Sequence, residues 1–153
     1  MNRMLVAIGV ALVAIGSALA GESASPSVQD VIDARQSGFK KMGAAMKAVS
    51  EQLKSGTPDL AKITAAAQAI SIGAREQPNW FPAGTGPESG LQTDALAHIW
   101  KDTAKFSALS GQLGTEATGF TAAVSTGDLT AIRTQFKVLS EVCSTCHKSF
   151  RAD

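Results

Sequence analysis

Hydrophobic residues recur at spacings of three and four along four stretches of the chain, which is the spacing of one face of an α-helix. The first stretch starts after Ser27 and Pro26 and ends before Gly56-Thr57-Pro58. Its repeating apolar positions are Val28, Ile32, Phe39, Met42, Met46, Val49 and Leu53. Arg35 interrupts this apolar face, which makes it the one charged residue on the predicted inner side of the first helix.

The second stretch predicts a helix that Thr57 caps, with Pro58 at the first helical position. Its apolar positions are Leu60, Ile63, Ala67, Ile70 and Ala74. Pro78 ends this helix, and residues 78–91 contain three prolines and three glycines. Such a composition predicts a loop, and a connection of this length usually has a function or crosses between distant elements.

The third helix is predicted to start near Thr93 or Asp94, and Gly127 ends it. Its inner positions are Leu96, Ile99, Thr103, Phe106, Ser110, Leu113, Ala117, Phe120 and Val124. Asp128 can cap a fourth helix, whose inner positions are Leu129, Ile132, Phe136, Leu139, Cys143, Cys146 and Phe150. Four periodic segments without strand signals predict an all-α fold, an antiparallel four-helix bundle.

Residues 1–20 have the pattern of a cleaved signal peptide. Arg3 precedes an apolar run, and Ala18-Leu19-Ala20 forms a cleavage site before Gly21. An uncleaved membrane anchor is the alternative, but the run is short against the roughly 20 residues of a spanning helix. We therefore predict a periplasmic mature domain at residues 21–153 that is not embedded in a membrane.

The charges of the chain are nearly balanced, with 14 basic and 13 acidic side chains. Nucleic-acid-binding domains carry a basic stripe or an aromatic platform, and neither pattern is present in the sequence. We therefore exclude nucleic acid as a partner.

The sequence Cys143-Ser144-Thr145-Cys146-His147 near the end of the chain has the C-x-x-C-H pattern that attaches c-type haem. Residues three positions apart lie on one side of a helix, so both thiols can add to the vinyl groups of one porphyrin. The imidazole of His147 can then ligate the iron. Because both cysteines continue the apolar face of the fourth helix, we expect the haem inside the bundle.

Three other interpretations of these residues fit the sequence less well. A thioredoxin-like redox pair stands at the start of a helix in a βαβ unit, whereas this pair stands near the end of a helical pattern. A zinc site needs two further ligands, and His98 is the other histidine of the chain. A disulfide between Cys143 and Cys146 suits an exported protein but gives His147 no role. A haem-free, disulfide-containing bundle stays as an alternative.

Several segments resemble cytochrome c′, a family of class II c-type cytochromes, and the resemblance covers nearly all of the mature chain. They are C-x-x-C-H-x-x-x-R from Cys143 to Arg151, the run Arg35–Gly43, the Trp80-Phe81-Pro82 loop and Ile99-Trp100. The resemblance implies an antiparallel four-helix bundle that commonly pairs as a homodimer. It also implies one haem c per chain, held by Cys143 and Cys146, and a protein that is not an enzyme.

The resemblance gives Phe39 a specific role. In cytochromes c′ this position holds an apolar residue over the haem face opposite the histidine, and in the low-spin relatives it holds a ligating methionine. Phenylalanine has no lone pair for iron, so five-coordinate, mainly high-spin haem that binds NO and CO is implied. Electron transfer with a redox partner protein is a further expected role. Met42 is the alternative sixth ligand, because thioether sulfur is an axial donor, and it would make the protein a low-spin electron carrier.

Five further residues complete the predicted site and its surroundings. Arg35 lies one turn before Phe39, and a cation in an apolar face needs a partner, for which a haem propionate is the candidate. An arginine that extends to solvent is the alternative. Gln36 matches the family run, and the resemblance places Arg151 beside the ligating imidazole. We predict that Trp100 is a core residue and that His98 lies at the surface.

Overall fold

The computed structural model describes residues 25–152, so the predicted signal peptide at residues 1–20 lies outside it. Within this part of the chain there are four long helices, one single-turn helix and no strands. The helices are α1 (Val28–Lys54), α2 (Leu60–Glu76), α3 (His98–Lys101), α4 (Thr103–Thr126) and α5 (Leu129–Phe150). None of the described helices is both long enough and apolar enough to cross a membrane.

The four long helices form the predicted antiparallel bundle. Helix α1 packs against α2, α2 against α4, and α4 against α5, whereas α1 and α5 approach each other much less. Residues 77–102, here termed the long connection, join α2 to α4 and include two 3₁₀ turns, Gln77–Trp80 and Pro87–Ser89. At the opposite end of the bundle, Arg133 of α5 donates a hydrogen bond to the carbonyl oxygen of Leu53 of α1.

Side chains that cap the helices explain most of the helix ends. The Asp30 amide donates to Ser27 Oγ at 3.1 Å, and the Ser27 amide donates to Asp30 Oδ2 at 2.9 Å, a capping box. Gly127 ends α4 with a φ of 71°, and Asp128 caps α5, as predicted. The prediction that Thr57 caps α2 is wrong. Asp59 caps it instead, because its carboxylate accepts the first free amides of the helix and aspartate is the stronger capping residue.

The predicted start of the third helix near Thr93 or Asp94 is also wrong, because α4 begins ten residues later at Thr103. Asp102 caps α4 by accepting the Lys105 amide. Thr93 Oγ1 already accepts a hydrogen bond from Arg35, and the backbone of residues 94–96 pairs with the end of α5. These long-range partners hold residues 93–96 in a non-helical path.

The core consists of two clusters of buried side chains. The main cluster contains Met42, Val49, Ile63, Ile70, Leu113, Phe120, Ile132 and Leu139, with smaller residues between them. The second cluster lies beside the long connection and contains Ala95, Ile99, Phe106 and Phe150. Three predicted inner positions, Val28, Leu60 and Thr103, are exposed. Each is the first residue of its helix, where the core has not yet begun.

Two glycines of α1 allow a matched test of how closely the long connection packs. A Cβ at Gly38 would overlap the ring of Trp80, whereas a Cβ at Gly43 would meet no atom within 4 Å. Gly38→Ala should lower the free energy of unfolding by about 1–3 kcal/mol through overpacking. Gly43→Ala should raise it by about 0.5–1 kcal/mol through helix propensity. Urea unfolding of the two variants measures both effects, and equal stabilities would contradict the contact between Trp80 and α1.

Candidate haem-binding site

A largely apolar cavity of about 800 Å³ opens where α1 and α5 separate, at the end of the bundle that carries the long connection. This volume lies within the range of about 300–1,000 Å³ that is typical of cofactor pockets. All the residues selected from the sequence line this cavity, namely Arg35, Gln36, Phe39, Cys143, Cys146, His147 and Arg151. The fold therefore brings residues from the two ends of the chain to one site.

Helix α5 supplies the two thiols. Both Cys143 and Cys146 are half-buried, the first against the main cluster and the second against the smaller one. Burial raises the pKa of the Cys143 thiol, and burial together with the neighbouring Cys143 raises the pKa of Cys146. Redox pairs use thiolates, which a raised pKa disfavours, and within residues 25–152 no three histidine, cysteine, aspartate or glutamate side chains are grouped so that they could hold a metal ion. These surroundings are thus a poor match for either alternative.

His147 lies in the last turn of α5, with its side chain exposed at the rim of the cavity. Partial desolvation of the ring lowers its pKa, and the nearby Arg151 guanidinium lowers it further. Both effects favour the neutral imidazole, which is the form that ligates a metal. Arg151 is the C-cap of α5, and its amide donates to the carbonyl oxygen of His147 at 3.0 Å.

Helix α1 forms the opposite wall of the cavity. The half-buried ring of Phe39 meets Trp80 edge-on at 5.0 Å between centroids and lies 6.0 Å from Phe81. Met42 also lines the cavity, but its side chain packs tightly over Gly73 of α2, where a Cβ would overlap its Cγ and Sδ atoms. The sulfur of Met42 would have to leave this contact to ligate a metal in the cavity.

Arg35 is buried, with only 2% of its surface exposed, so the alternative of an arginine that extends to solvent is wrong. Its guanidinium donates to the Thr85 carbonyl oxygen at 2.9 Å, to Thr85 Oγ1 at 3.2 Å and to Thr93 Oγ1 at 2.8 Å. It also lies 4.9 Å from the centre of the Phe81 ring. Burial lowers the pKa of Arg35, although a guanidinium stays protonated.

The partners of Arg35 were not found from the sequence. All its hydrogen-bond acceptors are neutral, and within residues 25–152 it forms no salt bridge. The threonines that hold it, Thr85 and Thr93, come from the long connection. The one feature of the sequence that could have indicated these partners is the presence of two threonines in or near a loop rich in proline and glycine. The positive charge of Arg35 therefore lies on the wall of the cavity without a carboxylate in direct contact, and only the more distant Glu88 stabilises it.

The remaining predicted residues lie close to this network. Gln36 donates from Nε2 to the carbonyl oxygen of Gln92 at 3.3 Å, which ties α1 to the long connection. Trp100 packs in the smaller core cluster, as predicted, and its Nε1 donates to the Phe81 carbonyl oxygen at 3.2 Å. His98 is exposed, which confirms it as a surface residue.

Comparison with known proteins identifies the family. A family model described as Cytochrome C′ matches residues 30–151. A cytochrome c′ from Rhodospirillum rubrum is 31% identical, with an alignment that covers all of both chains. The chain belongs to the cytochrome c′ family. A cytochrome c-556 from Agrobacterium fabrum is 33% identical over 78% of this chain and 80% of its own length.

Solved structures agree with this assignment. A cytochrome c′ from Thermochromatium tepidum superposes with a TM-score of 0.79, at 26% identity, over 85% of this chain and 100% of its own. The nitric oxide complex of a cytochrome c′ variant from Alcaligenes xylosoxidans gives a TM-score of 0.73, at 25% identity, over 82% of this chain and 97% of its own. Proteins of this family are haem-binding gas binders or electron carriers rather than enzymes, and membership implies haem c.

The side chains of the cavity fit a covalently attached haem. Two half-buried thiols one turn apart face an apolar space, and the next residue, His147, offers a neutral nitrogen. The apolar walls suit a porphyrin face, and the buried Arg35 suits an anionic propionate. Attachment through Cys143 and Cys146 stays a prediction.

Covalent attachment can be measured directly. If both thiols form thioethers, acid–acetone extraction leaves the haem on the polypeptide, and the intact mass equals residues 21–153 plus one haem. The Cys143→Ser/Cys146→Ser double variant, which keeps His147, should release any haem it carries into the organic phase. Release of haem from the wild-type protein, or a mass with two free thiols, would contradict this prediction.

Proposed function

We propose that this chain is an exported haem c protein that binds NO and CO at an iron held by His147 from one side. The observation that carries the proposal is that two helices line the cavity with complementary side chains. Helix α5 presents Cys143, Cys146 and His147, and helix α1 presents Phe39, which has no ligating atom. When bound, five-coordinate haem iron supplies an open position for a diatomic ligand.

The chemistry of the α1 wall supports selection for small uncharged ligands. Phe39 lies in an aromatic group with Trp80 and Phe81. A charged ligand against these rings would lose its hydration without gaining a partner, whereas a neutral diatomic loses little. The nitric oxide complex of the related Alcaligenes xylosoxidans protein supports NO as one such ligand.

Arg35 is proposed to bind a haem propionate. Its neutral partners Thr85 and Thr93 orient the guanidinium without neutralising it. A buried cation is costly unless an anion compensates it, and a carboxylate could accept the Nε–H, the donor that the bonds to Trp80, Thr85 and Thr93 leave free. Gln36 would help by fixing α1 to the long connection, and Arg151 would lie beside the ligating imidazole.

Periplasmic location and a homodimer also belong to the proposal. The signal-peptide pattern at residues 1–20 supports export, which places the chain where disulfide-forming, oxidising conditions prevail.

Three large apolar side chains in the described part of the chain are exposed, Val28, Leu60 and Ile72, and all lie on α1 and α2. Ile72 is the one of the three that does not stand at a helix start, and together with the common pairing of cytochromes c′ as homodimers it supports pairing through α2. A monomer by sedimentation would contradict this proposal.

Electron transfer through low-spin haem is the second candidate function. Met42 favours it, because this residue lines the cavity and carries the sulfur that could become a sixth ligand. The close packing of Met42 over Gly73 argues against it, since ligation would require the side chain to leave a buried contact. We therefore place Phe39, rather than Met42, over the iron.

Two substitutions separate the candidates. If Phe39 lies over the iron, Phe39→Met introduces a thioether there, so the spectrum should move toward six-coordinate and low-spin, and CO binding should weaken. Phe39→Leu, which adds no lone pair, is the matched control and should stay high-spin. Met42→Leu should leave the spectrum unchanged and cost less than about 1.5 kcal/mol of stability, as a volume-conserving replacement.

The opposite pattern would contradict the proposal. A low-spin wild-type protein that becomes high-spin on Met42→Leu would identify Met42 as the ligand. The protein would then be an electron carrier rather than a protein with an open iron position.

A further inference from the structure

Two buried polar groups on the α2–α4 side of the haem cavity have no hydrogen-bond partner in the described structure. They are Oε1 of Gln77, a residue that is 2% exposed, and Oγ of Ser110, a residue that is 6% exposed. Both residues line the cavity. Protein interiors leave few such groups without a partner, so a polar occupant for this wall is expected.

A separate groove of about 610 Å³ lies outside this wall, between the end of α2 and the first half of α4. Its α2 side is lined by Ala74, Arg75 and Pro78, and its α4 side by Phe106, Ser107, Ser110, Gly111 and Gly114. Phe106 and Ser110 line both the groove and the cavity. One layer of side chains thus separates the two spaces.

The α4 side of the groove is open because two of its residues are glycines. A Cβ at Gly111 or at Gly114 would meet no atom within 4 Å. Gly114 follows Ser110 by one helical turn, and a helical side chain leans over the turn that precedes it. Any larger residue at position 114 would therefore lie over Ser110, whereas glycine leaves Ser110 itself as the layer between the groove and the cavity.

We propose that the α2–α4 groove is an entrance through which water and small uncharged ligands reach the haem cavity. Ser110 and Gln77 bind the entering water by hydrogen bonds, which gives their unpartnered oxygen atoms a partner. The inference rests on the proposed function, because it needs a haem between α1 and α5. A haem bound there, with Phe39 over its iron, would cover the direct path between α1 and α5, whereas the groove approaches the cavity from the α2–α4 wall.

The test uses the rates of CO binding to the ferrous holoprotein after flash photolysis. Gly114→Leu places an apolar side chain in the groove at a position where a Cβ meets no atom within 4 Å, and Gly114→Ala is the matched control because its methyl group is too short to cover Ser110. An entrance changes the rates at which CO enters and leaves the cavity, but it does not change the equilibrium constant for CO binding. In Gly114→Leu, both association and escape of CO should therefore slow several-fold by the same factor, with the affinity unchanged, while Gly114→Ala keeps the wild-type rates.

Three results would contradict the proposed entrance. They are unchanged rates in Gly114→Leu, equal slowing in Gly114→Leu and Gly114→Ala, or a change in affinity that accounts for the whole change in association rate. A wild-type protein that binds no CO would instead contradict the proposed function, and the entrance with it. The two failures are thus distinguishable by the wild-type measurement alone.

Ser110→Ala tests the water separately. If no water binds the Ser110 hydroxyl, Ser110→Ala removes a buried polar group that has no hydrogen-bond partner. The melting temperature of the holoprotein should then rise. If the hydroxyl binds water, as proposed, the variant loses that hydrogen bond and its melting temperature should stay equal or fall. A raised melting temperature would overturn the role of Ser110 as a water ligand.

Discussion

The separation of α1 from α5 is the constraint on which the rest of this structure depends. At one end of the bundle the two helices are tied together by the hydrogen bond from Arg133 to Leu53, and toward the other end they diverge around the cavity. Side chains that would meet in a closed bundle instead face a space wide enough for a flat cofactor. Phe39 on one wall and His147 near the other can therefore act on opposite sides of the same group.

Arg35 connects this space to the long connection. Its charge is buried among neutral oxygen atoms of Thr85 and Thr93 and lies over the ring of Phe81, so α1 and the long connection are held to each other at the mouth of the cavity. A cation that served only to fix a loop could be replaced by neutral donors at lower desolvation cost. The buried position of this cation is therefore the basis of our proposal that a haem propionate binds there.

Features specified by neighbouring residues could be predicted from the sequence, and features specified by distant residues could not. Helical periodicity and local caps such as Ser27 and Asp128 predicted the bundle, and the spacing of the two cysteines predicted that their thiols face the core. The start of α4 was missed because Thr93 is used by a guanidinium 58 positions away in the chain. The direction of Met42 toward Gly73 likewise depends on a contact between two helices that periodicity cannot reveal.

The central claim is that the iron position under Phe39 has no protein ligand. The visible absorption spectrum of the purified ferric holoprotein at neutral pH tests it most directly, since it reports the spin state without any substitution. We expect a broad, high-spin spectrum. A sharp low-spin spectrum would show that a side chain such as Met42 already occupies the sixth position, and the absence of a Soret band would show that the protein carries no haem.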